Sequence, residues 1–443
     1  MICRSSNGQV RFFFYSLLTL YKYCRVFAGP IRQGGLSPIP NEVYMEIFKY
    51  LRPPDNNPWI DPVYRRDFSR VALVCRFFCS VMLPWIFESI AFEGNTNGSL
   101  DLNHAAFCRN IIRGCGSART MATYVKRCLF LDWILDQNDS TQSWYKKEFQ
   151  ALYSRALAFM PNVEELKLER SHINKYLLKS IMELKSLTTL SLDYCLIGEV
   201  KAKSIRKLST LQLKHLRFVV LGGIVSGDGH MLITSRSLCL DSLLTLHTNC
   251  WHFGERIAKQ NCHLPLQVLE IFGVKDAELL PRIFQNTPAL ERLRIGSDNF
   301  TETPKYDVQF GNVLPALHEL CCPLSLLRSL VPGRPISIIE ITDDLLKEIT
   351  DIQSFFKKST CKILSLCVPV RFYLTIPFWE HFPDLKALRL KYVPNYLLSF
   401  DKRFLEKVFA NIIFASRQLP IIHMYRVFQI SLLSVTPGLT TLQ

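Results

Sequence analysis

The sequence predicts an α/β chain in two parts: a small module of three helices, then an irregular solenoid of leucine-patterned repeats. Three observations predict this. Two apolar helical patterns and a short third one lie between the breaker-rich residues 30–40 and residue 92. From residue 161 onward a Leu-x-x-Leu-x-Leu core keeps returning. The composition of the 443 residues, 48% hydrophobic and 21% charged, is globular and excludes a mostly disordered chain.

Residues 1–35 read as a basic, apolar leader that is poorly ordered. They hold Arg4, Arg11, Lys22, Arg25 and Arg32 and no acid. Their apolar run, Phe12 to Tyr21, is too short to span a bilayer, and the cations after it argue against a secretory signal. Phe12 to Tyr15 beside cations suits base stacking or a plain apolar leader equally.

Residues 36–92 read as the helical module. Pro40 fits a first helical turn, and Val43, Ile47 and Leu51 recur at i, i+4 and i+8 with Tyr44 and Phe48 beside them. Arg52 to Pro58 ends this helix. A second helix is expected from an N-cap at Asp67, with stripes Phe68/Val71/Cys75/Phe78 and Leu73/Phe77. Leu83-Pro84 should stop it, and Pro84 should open a third helix, Trp85 to Ser89. Residues 93–160 read as a linking segment and solenoid cap, with a loop at 95–103, a strand at Val125 to Trp133 and a helix at Phe149 to Phe159.

Residues 161–443 read as degenerate repeats with a C-terminal cap. Leu187-x-x-Leu190-x-Leu192-x-x-Cys195-x-Ile197 fits the leucine-rich-repeat pattern throughout. Shorter copies begin at Val163, Leu208, Leu266, Leu290 and Leu385, and weaker ones at Leu240, Leu317, Ile336 and Cys361. The mean interval is about 25 residues, within the range for such repeats. In each copy two leucines alternate inward on a short strand, so a unit buries its apolar face only against its neighbours. Returns such as Lys175 to Leu184 and Ala277 to Gln285 read as helical or irregular.

Leu36, Ile39, Pro40, Glu42, Val43, Ile47, Phe48 and Leu51, then Leu73-Val74-Cys75-Arg76-Phe77, then Leu83-Pro84-Trp85-Ile86-Phe87 resemble an F-box. Joined to downstream leucine-rich repeats, the chain is similar to the F-box/leucine-rich-repeat family, in the divergent form common in fungal proteomes. The resemblance implies a substrate-receptor subunit of a Skp–cullin–F-box (SCF) E3 ubiquitin ligase. Its F-box would dock on a Skp-family adaptor, and through it a cullin ligase, while the repeats hold a protein substrate. It also implies that Pro40, Val43, Ile47, Leu51, Leu73, Cys75, Phe77, Pro84 and Trp85 divide between the adaptor interface and the module's own packing. The insert Arg52 to Arg66 is longer than the family's usual link.

On the substrate side, strand positions facing away from the core include Lys214, Arg292, Arg294, Arg389 and Lys391. They suit an acidic or phosphorylated partner, or simply a solvated surface. The net charge of +15, with pI near 9.2, is spread along the chain, so neither nucleic acid nor membrane is the expected partner.

No enzyme is expected. The chain has no phosphate-binding Gly-Lys-Ser/Thr loop, no His-Glu-x-x-His and no Gly-x-Ser-x-Gly. The Gly-rich Leu221 to Gly229 reads as a loop between repeats. His247, Cys250, His252, Cys262 and His263 lack ligand spacing, so no metal and no cofactor is expected. Fifteen cysteines without a C-x-x-C pair suit reduced thiols in the cytoplasm or nucleus. The competing reading is a leucine-rich-repeat scaffold that binds protein or RNA without ligase coupling.

Overall fold

The computed structural model of the chain describes residues 40–50, 62–94, 102–134, 140–197, 200–220, 235–296, 310–311, 313–342, 358–369, 382, 384–391 and 422–423. The leader 1–35, Leu51 and the Gly-rich 221–229 lie outside the described residues. The chain forms two compact units, residues 1–239 and 240–443.

The first unit opens with helices α1 (Asn41–Lys49), α2 (Pro62–Ala72) and α3 (Arg76–Phe87). The break expected at Leu83-Pro84 falls instead at Leu73 to Cys75, and Asp67 lies inside α2. The Leu73 N–H turns back to the carbonyls of Ser69 and Arg70, each at 3.2 Å. Cys75 is extended, and its sulfur accepts from the Phe78 N–H at 3.4 Å, capping α3. Pro84 stays inside α3 because Met82, Leu83, Ile86 and Phe87 are buried around it. Burial of four large side chains, about 2 kcal/mol each, outweighs the roughly 3 kcal/mol cost of a helical proline.

After α3 come β1 (Ser89–Glu93), α4 (Leu102–Arg113), α5 (Gly116–Ala122), β2 (Arg127–Trp133), α6 (Ser140–Leu157), β3 (Glu165–Ile173) and α7 (Lys175–Glu183). Then follow β4 (Thr189–Asp193), β5 (Leu196–Ile197), α8 (Ala202–Arg206) with a 3-10 turn at Lys207–Thr210, and β6 (His215–Val219). Every pairing is parallel, in the order β1-β2-β3-β4-β6, with β5 on β3. Two rows in register form the core: Ile90, Cys128, Leu166, Leu190, Leu216 and Phe92, Phe130, Leu168, Leu192, Phe218. The Trp133 indole donates to the Phe92 carbonyl at 2.8 Å. On the outer rim of β1, the half-buried Arg65 of α2 donates to the Ser89 carbonyl, and desolvation lowers its pKa.

The second unit runs β7 (Thr245–Thr248), α9 (His252–Lys259), β8 (Val268–Phe272), a 3-10 turn at Ala277–Leu279, α10 (Leu280–Gln285), β9 (Arg292–Gly296) and β10 (Glu319–Cys322). It continues with α11 (Leu324–Leu330), β11 (Ile338–Ile341), β12 (Ser365–Pro369), β13 (Ala387–Lys391) and β14 (Ile422–His423). These strands pair in chain order, all parallel. Leu246, Leu269, Leu293, Leu320, Ile339, Leu366 and Leu388 form its buried row.

The structure is thus an α/β fold built on all-parallel sheet flanked by helices, and this overturns the predicted three-helix F-box module followed by a leucine-rich-repeat solenoid. The reason is visible at residue 89. One residue separates α3 from β1, and β1 is tied into the sheet through Ser89↔Arg127 to Glu93↔Leu131. Phe87 of α3 also packs against Phe107 of α4, with ring centroids 5.5 Å apart. Hence α1 to α3 do not stand apart as a module. Among the described residues no helix is long and apolar enough to cross a membrane.

Candidate docking and recognition surfaces

Helices α1 and α3 meet through aromatic rings. Tyr44 lies 6.0 Å from Phe77 and 5.1 Å from Phe78, and Phe48 lies 5.1 Å from Phe78 and 6.5 Å from Trp85. Trp85 also contacts Phe68 of α2 at 5.6 Å. Phe48 and Phe68 are buried in this cluster, and Tyr44, Phe77, Phe78 and Trp85 are half-buried in it. A second apolar set stays uncovered. Val43 and Ile47 of α1, and Leu73 and Val74 in the turn before α3, are 44%, 50%, 54% and 69% exposed.

Of the nine residues assigned to the adaptor interface or module packing, Pro40, Val43, Ile47, Leu73 and Cys75 are exposed. Phe77, Pro84 and Trp85 are half-buried, Phe77 and Trp85 within the aromatic cluster, and Leu51 lies outside the described residues. Val74 and Tyr50, both exposed, were missed as site residues. Val74 sits in the Leu-Val-Cys-Arg motif itself, which was the available signal.

The outward face of the second unit's strands carries two rows in register. One is Thr245, Val268, Arg292, Glu319, Ile338, Ser365, Ala387; the other is His247, Glu270, Arg294, Cys321, Glu340, Cys367, Arg389. Charges along them are neutralised by neighbours. Arg292 Nε lies 2.8 Å from Glu319 Oε2 on the next strand. Arg294 reaches across Cys321 to Glu340 Oε1, 3.2 Å away and two strands over. His247 Nδ1 meets Glu270 Oε2. Burial works against the Arg294 charge, but Cys321, Glu340, Glu270 and Cys367 around it hold its pKa above the usual value. Arg389 is exposed on β13, Lys391 closes that strand, and Lys214, in the first unit, is exposed just before β6. The substrate-side cations therefore divide between two units, and the arginine pair already has carboxylate partners.

The His/Cys set does not converge. His252 bonds Glu255 at 3.3 Å, His263 bonds the Gln285 carbonyl at 3.1 Å, and Cys250 is buried while Cys262 is exposed. Among the described residues no three His, Cys, Asp or Glu side chains gather as a metal site would need. The described cysteines are unbridged. Cys195 donates to the Leu168 carbonyl at 3.4 Å, and burial pushes its thiol up to about 12, so it packs as a neutral group. Comparison of the chain with protein-family models and with curated proteins finds no match.

Proposed function

We propose that the chain is a non-catalytic substrate receptor of an SCF-type E3 ubiquitin ligase, working in the cytoplasm or nucleus. Helices α1 to α3 would dock on a Skp-family adaptor, and the outward sheet positions would hold a protein substrate. The observation that carries the reading is the uncovered set Val43, Ile47, Leu73 and Val74 on helices whose aromatic side chains already pack against one another. An apolar set left over after a core is filled is the usual anchor of a protein–protein interface. The likeness of residues 36–92 to an F-box supplies the partner's identity.

Adaptor pull-down tests this with the full chain. Wild type should retain a Skp-family adaptor, and Ile47→Asp with Leu73→Asp should lose it while the circular dichroism spectrum stays unchanged. If wild type never retains adaptor, the alternative stands: a protein- or RNA-binding scaffold without ligase coupling. On the substrate side, Arg292→Ala with Arg294→Ala should weaken capture of an acidic or phosphorylated protein. Unchanged capture would remove both residues from the site.

A further inference from the structure

The first unit keeps its charges in order on the sheet side and leaves them uncompensated on the helix side. Glu164 pairs with Lys126, Glu169 with Lys167, and Asp193 with Arg217 at 2.7 Å. Over residues 140–157, 174–188 and 200–214, which hold α6, α7 and α8 with their flanks, there are eleven cations and two acids. Of those acids, Glu183 is engaged by Lys179 at 3.7 Å.

The excess is steepest at residues 200–214. Lys201, Lys203, Arg206 and Lys207 are all exposed, and no acid stands between them in sequence. Lys214 stands apart, in one row with Thr188, Glu164 and Lys126 at the start of the strands. None of the four makes an ion pair among the described residues. The strip has no apolar anchor either, for no large hydrophobic residue there is exposed. A phosphate backbone needs only mobile cations, and three of the four are lysines on flexible stems. The preceding helices add aromatic faces. Tyr145 on α6 and Tyr176 on α7 are 54% and 42% exposed beside Lys146, Lys147 and Lys175. The Lys175 ammonium lies 5.0 Å from the Tyr176 ring centroid.

We propose that the helix-side face of the first unit, from Tyr145 through Tyr176 to the strip Lys201–Lys207, binds single-stranded nucleic acid. The lysines and Arg206 would track phosphates, and the tyrosines would offer stacking platforms for bases without reading sequence. The proposal does not depend on adaptor docking, since α1 to α3 contribute nothing to this face.

Fluorescence anisotropy of the full chain with a labelled oligouridylate of about 20 nucleotides tests it. Affinity should fall steeply between about 50 and 200 mM salt. Each single exposed substitution, Lys201→Gln, Lys203→Gln or Lys207→Gln, should make the log–log salt slope shallower by about 0.7. Lys207→Arg should leave the slope as it is. Tyr176→Ala should weaken binding about tenfold at an unchanged slope. Absence of binding at about 50 mM salt, slopes unmoved by all three Lys→Gln changes, or polyglutamate binding as tightly as the oligouridylate would each overturn the proposal.

Discussion

Arg334 is 3% exposed and makes no ion pair among the described residues. It donates instead to carbonyls: Val313 at 2.7 Å, Gly311 at 2.7 Å, Leu330 at 2.7 Å, Pro332 at 3.2 Å and Ser329 at 3.3 Å. One guanidinium thus closes the turn after α11 onto the segment before β10, and burial lowers its pKa without a neighbouring charge to offset it. Arg334→Met leaves those carbonyls unmet and should destabilise the second unit by about 3 kcal/mol, read as earlier unfolding in urea. His215 shows a different residue-scale effect. Burial and the adjacent Lys214 lower its pKa, so the folded chain favours the neutral ring. That stability is present above the ordinary histidine value and is lost as pH falls through the depressed one. Lys214→Gln should move the His215 titration upward, seen in the imidazole resonances.

At the scale of elements, adjacent residues of α1 have opposite fates. Phe48 is 4% exposed and Ile47 is 50% exposed. Phe48→Ala should free α1 from α3 at a cost of about 3 kcal/mol and open it to protease, while Ile47→Ala should cost under about 0.5 kcal/mol. In α7, Asn174 accepts from the N–H groups of Tyr176 and Leu177 at 3.0 and 2.9 Å and donates to Gln150 at 3.2 Å. Asn174→Ala should cost about 1–2 kcal/mol, measured by urea unfolding. Much of the strand layer was legible in spacing: Leu166/Leu168, Leu190/Leu192 and Leu293/Ile295 all lie buried on strands. Two copies slipped. Leu208/Leu211/Leu213 ends before β6, whose inward residues are Leu216 and Phe218. Leucine is so frequent that a frame five residues early also fits. β1 was missed, and β2, though expected as a strand at Val125 to Trp133, was not joined to the repeats, because other residues replace leucine: Phe87/Ile90/Phe92 and Val125/Cys128/Phe130 have the same spacing and the same burial. That substitution hid the continuity of β1 and β2 with the rest and made residues 36–92 look separable. The exposed apolar set of α1 to α3 was legible only in part, because helical periodicity names two stripes without saying which one neighbours cover.

For the whole molecule, two compact units mean two sets of cooperative contacts. Amide exchange should therefore respond locally: Arg334→Met should lose protection around residues 313–342, and β2 to β4 should keep theirs. The charge of +15 would suggest a uniformly basic surface, yet Arg217, Arg292 and Arg294 on the strands sit in pairs while Lys201, Lys203, Arg206 and Lys207 do not. Summing over long windows of sequence hid this, because pairing is set by strand register and not by proximity in the chain. The Arg65 contact with β1 has a last consequence. A terminal strand of parallel sheet offers a ladder to any passing chain, and the Ser89 carbonyl is its first rung. With Arg65 parked on that rung, a neighbouring copy must dislodge its guanidinium before it can zip on. Arg65→Leu should thus yield a protein that elongates into polymers, visible by light scattering, while its secondary structure persists.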